Sequence, residues 1–223
     1  MDIERIQELA RLDGLDLLAD HQGLFLTDGV MSVRTDFERM AKRLRTDSLQ
    51  RELLVKAAHV KGVSSPTAID ATAGLGEDAL LLAGAGFQVT LYERNPVIAA
   101  LLEDGVNRAR EIPGLSAAAA RMVVVAGDSV EALPHLQERP DVVFLDPMFP
   151  AKRGEARAKK KLQLLQRLEQ PCDDETALLD AALAAHPRKV VVKRPLKGPC
   201  LADRKPAYNL KGTTIRYDCY LGV

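Results

Sequence analysis

A chain of 223 residues, 47% hydrophobic and 28% charged, with 31 basic side chains balancing 31 acidic ones, is long enough for one well-buried core and a small appended element. This is the balance of an ordinary globular protein: it requires neither disorder nor a membrane span, and no apolar run approaches the length of a bilayer crossing. Cys172, Cys200 and Cys219 are scattered singly, and His21, His59, His135 and His186 lie far apart, so reduced thiols and no metal site are expected.

Residues 1–61 read as a small separate α+β element. Met1 to Arg5 mixes charged and apolar residues at helical spacing and lacks the basic start and apolar stretch of a signal peptide, which makes the cytoplasm the expected location. Two short strands, Gly23 to Thr27 and Val30 to Thr35, are expected to join across Asp28-Gly29, a strong hairpin signal. A basic helical segment follows. Asp47 is suited to cap a helix through Leu53, Leu54, Ala57, Ala58 and Val60, whose spacing makes one apolar face. Lys61-Gly62 ends that helix, and Ser64-Ser65-Pro66 is a linker.

From Pro66 the chain alternates strands and helices, and residues 66–223 are expected to form the main domain. Strands are expected over Ala68 to Ala71, Gln88 to Glu93, Met122 to Ala126, Asp141 to Leu145 and Lys189 to Lys193. Between them come helices from about Glu77 to Ala85, Pro96 to Arg110, residues 129–138, and Lys159 to Ala185. This succession predicts an α/β fold with a doubly wound, mostly parallel sheet and right-handed crossovers. Ala207 to Lys211 and Thr213 to Leu221, joined through Gly212, would add an antiparallel C-terminal hairpin at the sheet edge.

The zero net charge hides an asymmetry. Residues 62–150 carry 5 basic and 12 acidic side chains, whereas residues 34–61 carry 8 and 4 and residues 151–223 carry 16 and 8. Basic segments flanking an acidic centre suit a polyanion held at the edges of a pocket that binds something cationic. Solvated helical faces and a lysine-rich loop account for the same counts equally well.

In a sheet of this type, ligands sit beyond the carboxyl ends of the strands at the point where strand order reverses. The first strand of the main domain ends in Asp70-Ala71-Thr72-Ala73-Gly74-Leu75-Gly76, directly before a helix, and Gly74 and Gly76 let backbone approach a ligand. Glu93, some twenty residues on, is placed to accept ribose hydroxyls. The glycine spacing also fits a dinucleotide fingerprint, but Asp70, Glu77 and Asp78 would repel a pyrophosphate and attract the sulfonium and ammonium of S-adenosylmethionine. Helix-dipole complementarity explains Glu77 and Asp78 as well, though not Asp70. Asp128, beside Ser129, is placed either to read an adenine amino group or to cap the next helix.

The fourth of these strands ends in Asp146-Pro147-Met148-Phe149-Pro150 at the same pocket mouth. Asp146 and the Pro147 carbonyl would accept the two hydrogens of an exocyclic amine and aim its lone pair, while Phe149 could stack on an extruded base. Lys193 and Arg194 leave the fifth strand toward this edge. They read as phosphate contacts, extended by Lys152, Arg153 and the run Lys159, Lys160 and Lys161; the competing reading is a loop ordered only on RNA.

These stretches, together with Leu91-Tyr92-Glu93-Arg94-Asn95-Pro96-Val97, Ala99-Ala100-Leu101-Leu102 and Val190-Val191-Val192-Lys193-Arg194-Pro195, resemble the ribosomal RNA small-subunit methyltransferase J family of bacterial guanine-N2 methyltransferases. The likeness covers residues 66 to about 222. It implies a Rossmann-like class I methyltransferase that binds S-adenosylmethionine at Glu77-Asp78, Glu93-Arg94, Asp128-Ser129 and Asp146. The substrate it implies is the exocyclic N2 of one guanine in 16S rRNA, within the small ribosomal subunit. The family often has paired small hydroxyl residues where this chain has Asp128-Ser129, a departure in the first member. Residue chemistry alone leaves open an amino-methyltransferase acting on adenine or another planar nitrogen, a non-catalytic RNA-binding assembly factor and, third, a nicotinamide-dependent oxidoreductase.

Overall fold

The computed structural model describes residues 3–147, 160–168 and 174–222. Helix α1 (Ile3–Leu12) is followed by a three-stranded antiparallel sheet of β1 (Asp16–Asp20), β2 (Gly23–Thr27) and β3 (Ser32–Val33). The expected turn forms at Asp28-Gly29: Gly29 takes φ +84°, and Asp28 Oδ1 accepts the N–H groups of Val30 and Met31 at 3.0 and 2.8 Å. Strand β1 has no counterpart in the sequence reading, because Leu17 is its one buried residue and acids close both ends.

The helix expected from Asp47 is two short helices, α2 (Thr46–Leu49) and α3 (Leu53–Ala58). Asp47 lies in the first turn of α2, and Arg45 and Glu52 hold the N-cap positions. The break lets the Glu52 carboxylate receive the Arg43 guanidinium in two bonds of 2.7 and 2.8 Å. The end of α3 is closed by Lys189, whose ammonium donates to the carbonyls of Ala57 and His59.

The main sheet grows from β4 (Thr67–Asp70), α4 (Glu77–Gly84), β5 (Gln88–Glu93), α5 (Pro96–Arg110), α6 (Ser116–Ala119), β6 (Met122–Ala126), α7 (Ser129–Ala132) and β7 (Val142–Leu145). Helices α8 (Lys160–Leu168) and α9 (Glu175–Ala184) precede β8 (Lys189–Pro195), β9 (Tyr208–Lys211) and β10 (Ile215–Leu221). The seven strands lie in the order β6-β5-β4-β7-β8-β10-β9, parallel from β6 to β8, with β10 antiparallel to both its neighbours. Strand order reverses between β4 and β7, so Asp70 and Asp146 leave the sheet side by side.

Local chemistry fits these elements. β7 is apolar throughout because both its faces are covered. Asn95 caps α5 by accepting the N–H groups of Val97 and Ile98, and Pro96 occupies the first helical position. Residues 79–83 of α4 are all buried. One side faces the sheet and the other is sealed by the N-terminal segment, from which Phe37, Met40 and Leu49 enter the same core. A second core lies under α9 on the other sheet face. A third joins Ile6, Leu15 and Leu26 to Ile98 and Leu101 of α5 and Leu164 of α8. Burying a leucine of this kind contributes about 1.5–3 kcal/mol, so the N-terminal segment and α8 are held to the main sheet by packing. Among the described residues no helix is long and apolar enough to cross a membrane.

Candidate active site

Strand register aligns a row of polar side chains at the carboxyl edge. Asp70 pairs with Phe144 of β7 and Leu91 of β5, Phe144 with Val191 of β8, and Lys193 with Tyr217 of β10. Paired residues share a face and the face repeats every second residue. Asp70, Asp146, Lys193 and Tyr217 therefore stand on one face across four adjacent strands, with Glu93 two residues beyond Leu91.

Charge is concentrated there. Lys193 Nζ reaches Asp78 Oδ2, on the first turn of α4, at 2.7 Å and Asp146 Oδ2 at 2.8 Å. Burial alone would lower the Lys193 ammonium, but the two carboxylates hold it well above the ordinary lysine value. Asp70 is fully buried, and burial together with Asp78 pushes its carboxyl well above the usual range. Burial also raises Asp146, against the pull of Lys193, although 36% of its side chain is still reachable by solvent. Burial and Asp78 raise the Tyr217 hydroxyl likewise, so it stays a neutral donor. One ammonium thus bridges two carboxylates, Asp78 and Asp146, with the buried Asp70 carboxyl beside them.

Hydrogen bonds fix the loops around this row. Thr72 donates its N–H to Asp70 Oδ1 at 3.2 Å, and its hydroxyl accepts the Asp146 N–H at 2.7 Å. Glu93 accepts the N–H of Gly74 at 2.9 Å and of Asn95 at 2.8 Å, one on each oxygen. A carboxylate offers about four acceptor sites, and the described residues use two of them. The two glycines of the turn differ in role. Gly74 has φ +53° and open space where a side chain would begin, whereas a Cβ on Gly76, at φ +76°, would strike Leu102 of α5 at 2.5 Å. Gly74 fronts open space; Gly76 is a packing glycine, and its N–H is already given to Ala73.

Other expected residues fall as follows. Glu77 pairs with Arg39 of the N-terminal segment at the rim. Arg94 is exposed beside Glu93. Asp128 caps α7 by accepting the Val130 N–H at 2.8 Å, and the Ser129 hydroxyl donates to the Ala71 carbonyl at 2.7 Å, so both hold loops. Lys193, expected at a phosphate, lies inside the cleft. Arg194, expected beside it, alternates to the other face: it is 2% exposed, donates to the Pro199 carbonyl and pairs with Glu175, a position that presents nothing to a nucleic-acid backbone. Phe149, Lys152, Arg153 and Lys159 lie outside the described residues. Lys160 and Lys161 open α8, but only their backbone is described. Cys200 and Cys219 are free thiols, and Cys172 is also outside the described residues.

Thr72, Tyr217, Arg39 and Arg43 are site residues that sequence reading missed. Arg43 stands near Asp78 and Tyr217 while engaged by Glu52. The threonine inside Asp70-Ala71-Thr72-Ala73-Gly74 carried a readable signal, a hydroxyl in a strand-to-helix turn; the other three are brought in by tertiary packing.

A sequence model of the SAM-dependent methyltransferase family matches residues 8–222. The chain is 41% identical over 215 residues to ribosomal RNA small subunit methyltransferase J of Thioalkalivibrio sulfidiphilus, covering 93% of this chain and 84% of the relative. It is 42% identical over 237 residues to the protein of that name from Alkalilimnicola ehrlichii, covering 100% of this chain and 88% of the relative. Among solved structures it resembles a SAM-dependent methyltransferase from Neisseria gonorrhoeae, with a TM-score of 0.76 and 35% identity over 98% of this chain and 91% of that one.

Proposed function

The chain belongs to the SAM-dependent family of ribosomal RNA small subunit methyltransferase J, and from that premise we propose that it methylates the exocyclic N2 of one guanine in 16S rRNA. The observation that carries this reading is the excess of carboxyl groups at the strand ends, where Asp70, Asp78 and Asp146 face Lys193. Such a cleft attracts a sulfonium and an ammonium and repels a pyrophosphate. The residues suit the cofactor in three further ways: Glu93 keeps acceptor sites for ribose hydroxyls, Gly74 fronts open space, and Arg94 and Asp128-Ser129 flank the same strand ends.

Bound S-adenosylmethionine supplies a methyl group whose bond to sulfur breaks as its bond to nitrogen forms, the electron pair passing to sulfur and a proton leaving nitrogen. Asp146 and the Pro147 carbonyl accept the amine hydrogens, so the lone pair is aimed before reaction and the departing proton has an acceptor. Phe149 stacks on the extruded base. Lys152, Arg153 and the run Lys159, Lys160 and Lys161 meet phosphates, in 16S rRNA or the small ribosomal subunit. A cytoplasmic location follows from that partner.

The test is single-turnover transfer of labelled methyl to unmodified 16S rRNA at saturating donor, with mass mapping of the product. N2-methylguanosine at one position is the expected result, and Asp146→Asn should lower the rate by about 100-fold or more with donor affinity reduced less. Methyl on an adenine amine would select the rival enzyme. Donor binding without any transfer would leave an RNA-binding factor.

A further inference from the structure

We propose that Lys193 is a positioning residue for methyl transfer: its ammonium keeps Asp146 ionised and aligned as the acceptor of the target amine, and ties that acceptor to Asp78 at the start of α4. The inference rests on the reading of Asp146 as the amine's acceptor.

Sequence position alone sends Lys193 outward to a phosphate, yet its side chain is 25% exposed and two of its three N–H donors are spent on carboxylates at 2.7 and 2.8 Å. The bond to Asp146 ends on Oδ2. Among the described residues Oδ1 receives no hydrogen bond, so it is the oxygen left for a ligand. Thr72 fixes the Asp146 backbone, but the carboxylate itself is held by Lys193. Asp78 belongs to the helix that follows the glycine turn, and Asp146 begins the turn after β7. One ammonium thus sets the spacing between the donor side and the acceptor side of the cleft, where a displacement of about 1 Å costs on the order of 100-fold in rate.

The same contact governs protonation. Asp146 faces Asp70 from β4, Asp78 from α4, Lys193 from β8 and, beyond it, Tyr217 from β10, while Arg43 of the N-terminal segment is occupied by Glu52. Burial and the neighbouring carboxylates favour the protonated acid; Lys193 opposes them. A protonated Asp146 presents an O–H donor to an amine that needs an acceptor. Without Lys193, therefore, Asp146 ionises only at higher pH, and activity should follow that ionisation.

The experiment uses the full chain with Lys193→Gln, which keeps N–H donors without the charge, Lys193→Met and Lys193→Arg. Single-turnover transfer to unmodified 16S rRNA is measured at saturating donor and RNA from about pH 6 to pH 9. For the Gln and Met variants we expect a rate about 100-fold below the parent at neutral pH, climbing up to about tenfold per pH unit, with RNA affinity and its salt dependence unchanged. Lys193→Arg should restore most of the rate. Carboxyl 13C shifts of Asp146 provide a readout independent of activity: the group should titrate at higher pH in Lys193→Gln than in the parent. Matching Asp146 titrations, or a variant profile parallel to the parent's, overturns the proposal. So does a loss confined to RNA affinity with a shallower salt slope, which would make Lys193 a phosphate contact after all. A parent that titrates as described but transfers nothing to 16S rRNA would overturn the proposed function and leave the Lys193–Asp146 coupling standing.

Discussion

The backbone N–H of Asp146 donates to the hydroxyl of Thr72 at 2.7 Å, joining the loops that leave β7 and β4 at the point where strand order reverses. The Thr72 N–H in turn holds the Asp70 carboxyl, so one residue ties that group to the backbone that carries Asp146. Thr72→Val keeps shape and removes the acceptor. We expect a stability loss of about 1 kcal/mol by urea unfolding and a rate loss of about tenfold at saturating donor. A parental rate in the folded variant would mean that this bond does not position Asp146.

Glu93 is committed twice before any ligand arrives, to the N–H groups of Gly74 and Asn95. Glu93→Ala should weaken S-adenosylmethionine binding by about 1.5–3 kcal/mol in calorimetry, from the lost charged hydrogen bonds and a loosened glycine turn. Glu93→Gln should lose nearly as much, because an amide group must turn a donor toward one of those N–H groups. Undiminished affinity in either folded variant would remove Glu93 from the donor site.

Asp70 makes stability and binding pull against each other. Its carboxyl is raised by burial and by Asp78, so the folded chain keeps a proton that the unfolded chain releases. Stability from this group is therefore present below the ordinary carboxylate range and is lost as pH rises toward the raised value. Asp70→Asn should melt higher than the parent at neutral pH, with the difference shrinking toward pH 4, as differential scanning fluorimetry across pH would register. The same variant should bind S-adenosylmethionine at least about tenfold more weakly. A melting difference that does not vary with pH would contradict this account.

Arg216 and Asp218 form a buried pair, with Asp218 0% exposed, and Arg216 also donates to the carbonyls of Pro195, Leu196, Gly198 and Pro199. These bonds hold the loop that follows Lys193 and Arg194. Arg216→Met strands a buried carboxylate and should cost about 3–5 kcal/mol in chemical denaturation. Arg216→Met combined with Asp218→Leu should recover part of that loss, because no charge is then left unpaired. A double variant less stable than the single one would refute the pairing argument.

Most strands and helices around the main sheet were legible because each carries a local signal, although α6 was not foreseen and the helical stretch expected from Lys159 to Ala185 is two helices, α8 and α9. Gln88–Glu93, Pro96–Arg110 and Met122–Ala126 stand where apolar runs, Asn95-Pro96 and glycines set their limits. β1 and the division between α2 and α3 were not legible. One buried leucine makes no pattern, and the break at Glu52 is coupled to an ion pair with Arg43 at a nine-residue separation that matches no helical repeat.

The site divides in the same way. Residue order determined that Asp70, Gly74, Glu93 and Asp146 would meet at one sheet edge, since a parallel sheet delivers every strand's carboxyl end to the same side. It determined equally that the meeting place would be acidic. Only the tertiary structure decided how that charge is used. The pleat turns Lys193 and Arg194 to opposite faces, so one bridges two carboxylates in the cleft and the other is buried against Glu175. An ion pair depends on distances across strands and helices far apart in the chain. Sequence spacing names the two charges but does not bring Lys193 to 2.8 Å from Asp146.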